Sequence, residues 1–247
     1  MLWLAWSGLA LAAPDAAALK SAWQAASPAM QAAARIPVVL PDSAFPRLAT
    51  CEVARVREDV PGADRVLGAI WTDAPRDALW IAILDDQHFD MVSGLYEEEL
   101  PGTGALRKLL YQRLDLPWPL QDRQWVIDIR SNTALYARTG GAVWERSWTL
   151  GDPSLEPHAS PEAVWSTTNE GGWLLVDAAG GTLAVYHVRA EIGGNVPDEA
   201  STQWAWSKLD ELMKGTVTRA KRQIPSHYDA AHYVIARPDG SPIPPMP

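Results

Sequence analysis

The 247-residue chain is poor in cysteine, in phenylalanine and in positive charge, and it has no long uninterrupted apolar run. Each shortage removes a class of protein. A single cysteine, Cys51, allows no intrachain disulfide framework and no CxxC-type zinc site. With 21 Lys and Arg against 30 Asp and Glu, the formal net charge is −9. That balance argues against nucleic acid as a partner, because phosphate contacts need a basic face. No stretch approaches the roughly 18 to 20 apolar residues of a membrane-spanning helix. The H-E-x-x-H, G-x-S-x-G, Walker and G-x-G-x-x-G patterns are all missing. What is present is an ordinary globular composition, 47% hydrophobic and 21% charged, which excludes wholesale disorder. The aromatic usage is unusual: 13 Trp and 6 Tyr against 2 Phe. Tryptophan is apolar on its faces and polar at one edge, so this many in one chain suggests large apolar walls. Composition leaves open whether those walls belong to a filled core or to a ligand cavity.

Residues 1–13 form an apolar run ending in small residues, and Ala10-Leu11-Ala12 has the A-x-A form of a signal-peptidase site. A signal peptide is expected, and with it export to a bacterial periplasm or secretion. The bland alternative is a buried N-terminal helix, since no Lys or Arg precedes the run. A lone Cys51 suits an exported protein if it is buried.

Residues 15–34 are alanine-rich and predict a helix that Pro28 should kink or split, with Leu19, Trp23 and Met30 as its bulky apolar groups. A linker follows around Pro41 and Pro46. From Leu48 the period approaches two, and residues 51–57 and 66–71 predict a hairpin around Pro61-Gly62-Ala63-Asp64. Asp73 and Pro75 open a short helix through Leu84. Many short strands then follow, with Thr139-Gly140-Gly141 and Ala179-Gly180-Gly181 as turn signals, so one antiparallel meander is expected. A long amphipathic helix over residues 198–223 carries Trp206, Leu209, Met213, Val217 and Ala220 at 3–4 spacing, and Pro225 stops it. Residues 225–247 are Pro-rich and read as an extended or disordered tail. A sheet of this size must bury one face, and the long helix is the element available to cover it. Periodicity alone allows either a filled core or a tunnel between sheet and helix.

Tyr111 through Val126 contains Pro117-Trp118-Pro119, then Asp122-Arg123, then Trp125-Val126. This run resembles the central signature of the START (steroidogenic-acute-regulatory-related) lipid-transfer family, in its bacterial exported form. Gln124 departs from the family's usual Asp. Val185 through Glu191 with Gly193-Gly194 and Pro197 is similar to the last strand and the turn that open the family's C-terminal helix, and Thr72 through Asp85 is more weakly similar to its short helix. The resemblance spans roughly residues 45–224. It implies an α+β helix-grip fold, a curved antiparallel sheet wrapped around a long C-terminal helix with an internal hydrophobic tunnel. It also implies a domain over residues 15–224 that binds one lipid or other hydrophobic small molecule, with transfer of that molecule as the further expectation.

On that footing the ligand-lining residues are expected to be Trp125, Ile127 and Ile129 on the signature strand, Ala184, Tyr186 and Val188 on the last strand, and Leu209, Leu212, Met213 and Thr216 on the gating helix. The bland reading of each is ordinary core. Family members often carry an arginine where Ile129 stands; Arg130 should point outward. With Ile129 there, a sterol-like or weakly polar ligand is favoured over a phosphate head group. Asp122 and Arg123 are expected to pair with each other. Trp144, Arg146 and Trp148 share a phase, and either face could be inward. Lys214, Arg219, Lys221 and Arg222 read as a solvated helix face, with transient membrane contact as the sharper reading. His227 and His232 lie in the tail, where metal binding is not favoured. His88 beside Asp85-Asp86 is the residue on which a polyketide-cyclase-like enzyme would rest; a ligand-sensing interaction protein is the other alternative. No cofactor, no catalytic role and a monomer are expected.

Overall fold

The structure, a computed structural model, describes residues 14–85, 95–116, 120–191, 193–194 and 197–246. The expected signal peptide at residues 1–13, the motif Pro117-Trp118-Pro119 and His88 therefore lie outside the described residues. Asp15 caps helix α1 (Ala16–Ala33), its carboxylate accepting from the Ala17 amide at 3.3 Å. Pro28 sits inside α1 without splitting it, and Leu19, Trp23 and Met30 are the residues it buries. The expected linker instead holds a 3-10 turn at Asp42–Ala44 and helix α2 (Phe45–Ala49), which bury Ala44, Phe45 and Leu48. Cys51 lies in the following turn with φ of 56° and is exposed, so it is neither strand nor buried.

Strands β1 (Ala54–Glu58) and β2 (Arg65–Thr72) form the expected hairpin. Helix α3 (Arg76–Leu84) begins behind Pro75, which takes the cap position with no side-chain bond. Asp73 is drawn instead into an ion pair with Lys221, which holds its carboxyl below the usual range. The meander runs through β3 (Leu95–Glu99), β4 (Arg107–Leu114), β5 (Arg123–Ser131), β6 (Val143–Leu150), the short β7 (Val164–Trp165), β8 (Thr168–Ala178) and β9 (Gly181–Glu191). Helix α4 (Thr133–Arg138) interrupts it between β5 and β6, capped by the Asn132 side chain. Ala179 (φ 50°) and Gly180 (φ 79°) make the two-residue β8–β9 turn, the positive-φ geometry that the right-handed strand twist favours.

The described sheet has the order β1-β2-β9-β8-β6-β5-β4-β3, all antiparallel except that β7 pairs parallel with β5. Pairing of β2 with β9 joins the hairpin to the far end of the meander. Helix α5 (Asp198–Arg222) then crosses β2 and β9, and α6 (Ile224–His227) starts with Pro225 in its first turn. We call the face under α5 the inner face.

Both faces of the central strands are buried. On the outer face, Leu67, Ala69, Leu174, Val176, Leu183 and Val185 pack with Leu19, Trp23 and Met30 of α1 and with α2. On the inner face, Ile70, Trp144, Trp173, Leu175 and Ala184 pack with α3 and with Met213 and Ala220 of α5. A strand covered on both faces needs apolar residues in both phases, hence the near-continuous apolar runs at residues 66–71 and 173–176. The carboxylate of Glu145, fully buried on the outer side of β6, fastens the end of α1. It accepts from the Arg35 amide at 3.1 Å and from Asn132, whose Nδ2 also donates to the Ala33 carbonyl at 2.6 Å. Burial pushes the Glu145 carboxyl up in spite of those bonds.

The tail is packed, not loose. Tyr228, Ile235, Ala236 and Ile243 are buried, with the Tyr228 hydroxyl donating to the Ile243 carbonyl at 3.0 Å and accepting from the Ile235 amide at 2.9 Å. Trp80 of α3, fully buried, donates its indole N–H to the Ala236 carbonyl at 3.0 Å. Of the two expectations for the tail, extended or disordered, prolines suit the extended one, a strap that makes side-chain rather than ladder contacts. Among the described residues no helix is long and apolar enough to cross a membrane.

Candidate ligand-binding site

Strand alternation puts Trp125, Ile127 and Ile129 on the inner face of β5, where all three are buried. With Leu110 of β4 they form an apolar cluster, and Leu95, Leu114, Trp148 and Leu150 pack at its edge. The Trp125 indole N–H donates to Gln112 Oε1 at 2.5 Å, so its polar edge is satisfied. In the opposite phase Arg130 does point outward. There it and Arg107 grip the Asp128 carboxylate at 2.6 to 3.0 Å, which holds that carboxyl well below the usual range.

Ala184, Tyr186 and Val188 share the inner face of β9, pairing with Ile70, Gly68 and Val66 of β2. The Tyr186 ring lies between two tryptophans, 5.0 Å from Trp173 and 5.9 Å from Trp148 between centroids. Burial alone raises its phenol far above the ordinary range, so the hydroxyl keeps its proton. Trp148 belongs both to the cluster on β5 and to the core beneath α3 and α5. An aromatic row, Trp173, Tyr186 and Trp148, thus links the two.

The helix residues are placed differently. Leu209 and Met213 press on β2 at Gly68, where an added Cβ would lie 3.1 Å from Met213 Cγ and 3.2 Å from Leu209 Cδ2. Thr216 is buried and returns its hydroxyl to the Leu212 carbonyl at 2.9 Å. Leu212 is half-buried against the same core as Tyr186. Leu209 and Met213 therefore seal the β2 side, and the structure does not bring them together with the β5 trio. A glycine inside an otherwise apolar strand signals such a close approach.

Arg146 is a functional candidate that sequence reasoning left undecided. Trp144 and Trp148 face inward, so Arg146 between them does too; it is buried, and Nη1 donates to the Ile83 carbonyl at 2.6 Å. A small cleft of about 30 Å³ beside it is lined by Leu84, Leu106, Lys108, Ile129 and Ser131. Arg146 thus places an inward-facing cation on the strand that pairs with β5. A larger opening of about 410 Å³, lined by Asp73, Arg76, Asp177 and Thr182, lies at the β8–β9 turn, away from the apolar cluster.

Asp122 and Arg123 do not pair with each other. The Asp122 carboxylate accepts from the Leu116 amide at 3.1 Å, while Arg123, buried, donates to the Gln121 carbonyl at 2.5 Å. Its guanidinium lies against the turn before α5, where a Cβ on Gly194 would sit 3.0 Å from it and where φ is +67°. The start of the signature strand is thus in contact with the turn at Gly194. Gln124, the departure from the family's acidic residue, uses both ends of its amide: Oε1 accepts from the Tyr111 hydroxyl at 2.7 Å, and Nε2 donates to the Ser160 and Ala163 carbonyls at 2.9 and 3.0 Å. Of the basic residues on α5, Lys221 is held by Asp73, Arg219 donates to the Ala82 carbonyl at 3.0 Å, and Lys214 lies 3.4 Å from Asp210.

No protein-family model and no curated protein matches the chain by sequence. Solved structures do match it. A STAR-related lipid transfer protein from Xanthomonas axonopodis superposes with a TM-score of 0.56 at 20% identity, covering 69% of this chain and 94% of that one. Human STARD10 superposes with a TM-score of 0.54 at 12% identity, covering 77% and 83%. Human StAR-related lipid transfer protein 5 gives 0.51 at 11% identity, covering 82% and 98%. The chain has a START-like helix-grip fold. Within the START-like fold, α5 is the gripped helix, and the β5 trio stands beside it on the same face of the sheet.

Proposed function

We propose that this START-like protein binds one weakly polar apolar molecule, sterol-like in character, between α5 and the inner face of β4, β5 and β6, and carries it between membranes. The observation that carries the reading is the second apolar cluster. Leu110, Trp125, Ile127 and Ile129 lie beside the stripe of α5 that packs on β2, not beneath it. The lipid-transfer names of the matched structures support the same class of ligand. Tyr186, whose hydroxyl keeps its proton, offers a donor to a ligand oxygen from an otherwise apolar wall. No bond need be made or broken for this task. A sixteen-carbon chain resists leaving a bilayer by on the order of 10 kcal/mol at about 0.8 kcal/mol per CH₂, and an apolar wall offered before water is met lowers that barrier. Trp204, exposed on the N-terminal half of α5, is the group through which the helix would touch a bilayer. Export through residues 1–13 and a monomeric carrier complete the proposal.

The test is a binding titration with fluorescent sterol, carotenoid and phospholipid probes on the native protein and on Ile127→Trp. The native protein should bind the sterol or carotenoid saturably, and the added ring should weaken binding at least about tenfold with little change in thermal midpoint. A filled interior gives the opposite pattern: no saturable binding, and a loss of about 1–3 kcal/mol from overpacking.

A further inference from the structure

The packed tail brings two of its histidines onto an aspartate that is 142 and 147 residues away in sequence. Asp85 follows the last turn of α3 and is fully buried; His227 ends α6; His232 lies in the strap beyond it. The Nε2 atoms of both histidines face the same carboxylate oxygen, Asp85 Oδ2, at 3.1 Å from His227 and 3.0 Å from His232. One ligand atom from each residue lies within 4.8 Å of the others. The geometry points to a binding site for a first-row divalent metal ion, Zn(II) above all, held by Asp85, His227 and His232 and closing the tail onto α3.

Hydrogen-bond direction supports the assignment. His232 Nδ1 lies 2.7 Å from the Tyr233 carbonyl, and a carbonyl only accepts. Nδ1 therefore carries the proton in the neutral ring, and the Nε2 lone pair is turned toward a carboxylate oxygen. A divalent ion between those two atoms would be held by both lone pairs, in the place that a proton on Nε2 would otherwise take. A backbone carbonyl on the far ring nitrogen is also the arrangement that orients metal-bound histidines. The carboxylate has the matching support, because the Tyr233 hydroxyl donates to Asp85 Oδ1, the oxygen that faces neither histidine, at 2.9 Å. The spacing suits the ion as well. Ligands about 2.0–2.1 Å from a tetrahedral zinc are about 3.3 Å apart, so small outward shifts of two rings would open the site. Two imidazoles and one carboxylate are a common zinc donor set, with a fourth position left to water. The His227 side chain is about one-third exposed at 31%, which gives an ion a path in, while that of His232 is at 3%.

The experiment uses the untagged full chain, stripped of metal with a chelator and titrated with Zn(II) and then Co(II). The expected result is one equivalent bound per chain, visible Co(II) absorption of four-coordinate type, and a thermal midpoint that rises with Zn(II). His227→Gln should weaken binding by at least about 100-fold, whereas Tyr233→Phe, which removes only the support of the carboxylate, should weaken it by about tenfold. His158→Gln should leave it unchanged. Failure of the native chain to bind Zn(II) stoichiometrically overturns the assignment and leaves a purely hydrogen-bonded staple. Binding that survives in His227→Gln overturns it too. Because His227 is partly exposed, that variant decides the question even if His232→Gln fails to fold.

Discussion

His187 shows how a single side chain can set a pH dependence. It is fully buried on β9, and among the described residues neither ring nitrogen has a hydrogen-bond partner. Burial, and behind it the charge of Arg65, pushes its pKa down to about 3. Above pH 6.5 the ring is neutral in both folded and unfolded chains and adds no pH dependence. As the pH falls below 6.5 the unfolded chain takes up the proton and the folded chain does not, so stability declines until the pH nears 3. At about 1.4 kcal/mol per unit, the loss at pH 5 is about 2 kcal/mol. Urea unfolding of His187→Leu at pH 7.5 and pH 5 should recover about 2 kcal/mol at the lower pH relative to native; an unchanged pH slope would show that His187 is not the acid-labile group. Residue-scale features were unevenly legible. Period-two alternation was enough to put Trp125, Ile127 and Ile129 on one face and Arg130 on the other. The same rule could not orient Arg146, because a charged group shares its phase with Trp144 and Trp148; that the opposite phase is buried too, at Glu145, only the structure shows.

At the scale of elements, the contact of α5 with β2 depends on the missing side chain of Gly68. Gly68→Val should force Leu209 and Met213 off the strand and cost about 1–3 kcal/mol, measured as a drop in denaturant midpoint at constant m-value. A neutral outcome would mean that the helix rides more loosely than its packing indicates. The helix itself was readable from its 3–4 spacing and from Pro225. What stayed unreadable was where α1 docks. Its three bulky groups, Leu19, Trp23 and Met30, form a face of ordinary size, and only the sheet's second buried face, itself a product of long-range pairing, explains them. Helix α4 and helix α2 were missed for a simpler reason: each is under two turns long, below the length at which periodicity declares itself.

For the whole molecule, the tail closes the structure. Removing residues 228–247 takes away the carbonyl that receives the Trp80 indole N–H and the buried Tyr228, Ile235 and Ile243. The truncated protein should lose at least about 3 kcal/mol, on the scale of a large core deletion, and its tryptophan emission should shift to longer wavelength. A native-like midpoint and spectrum would contradict the packed tail. The architecture was legible in outline because the run from Pro117 through Val126, and after it the last strand, Gly-Gly turn and long helix, resemble one family in the same order. The tail was not, since its contacts are made by single side chains with no period to read. The account's central claim is that the inner face beside α5 holds an apolar molecule. Mass spectrometry of an organic extract of the natively purified, full-length protein tests it most directly. The account predicts a near-stoichiometric, weakly polar hydrophobic compound that is reduced in extracts of Ile127→Trp; a compound-free extract from protein that also fails to take up added sterols, carotenoids and phospholipids would contradict it.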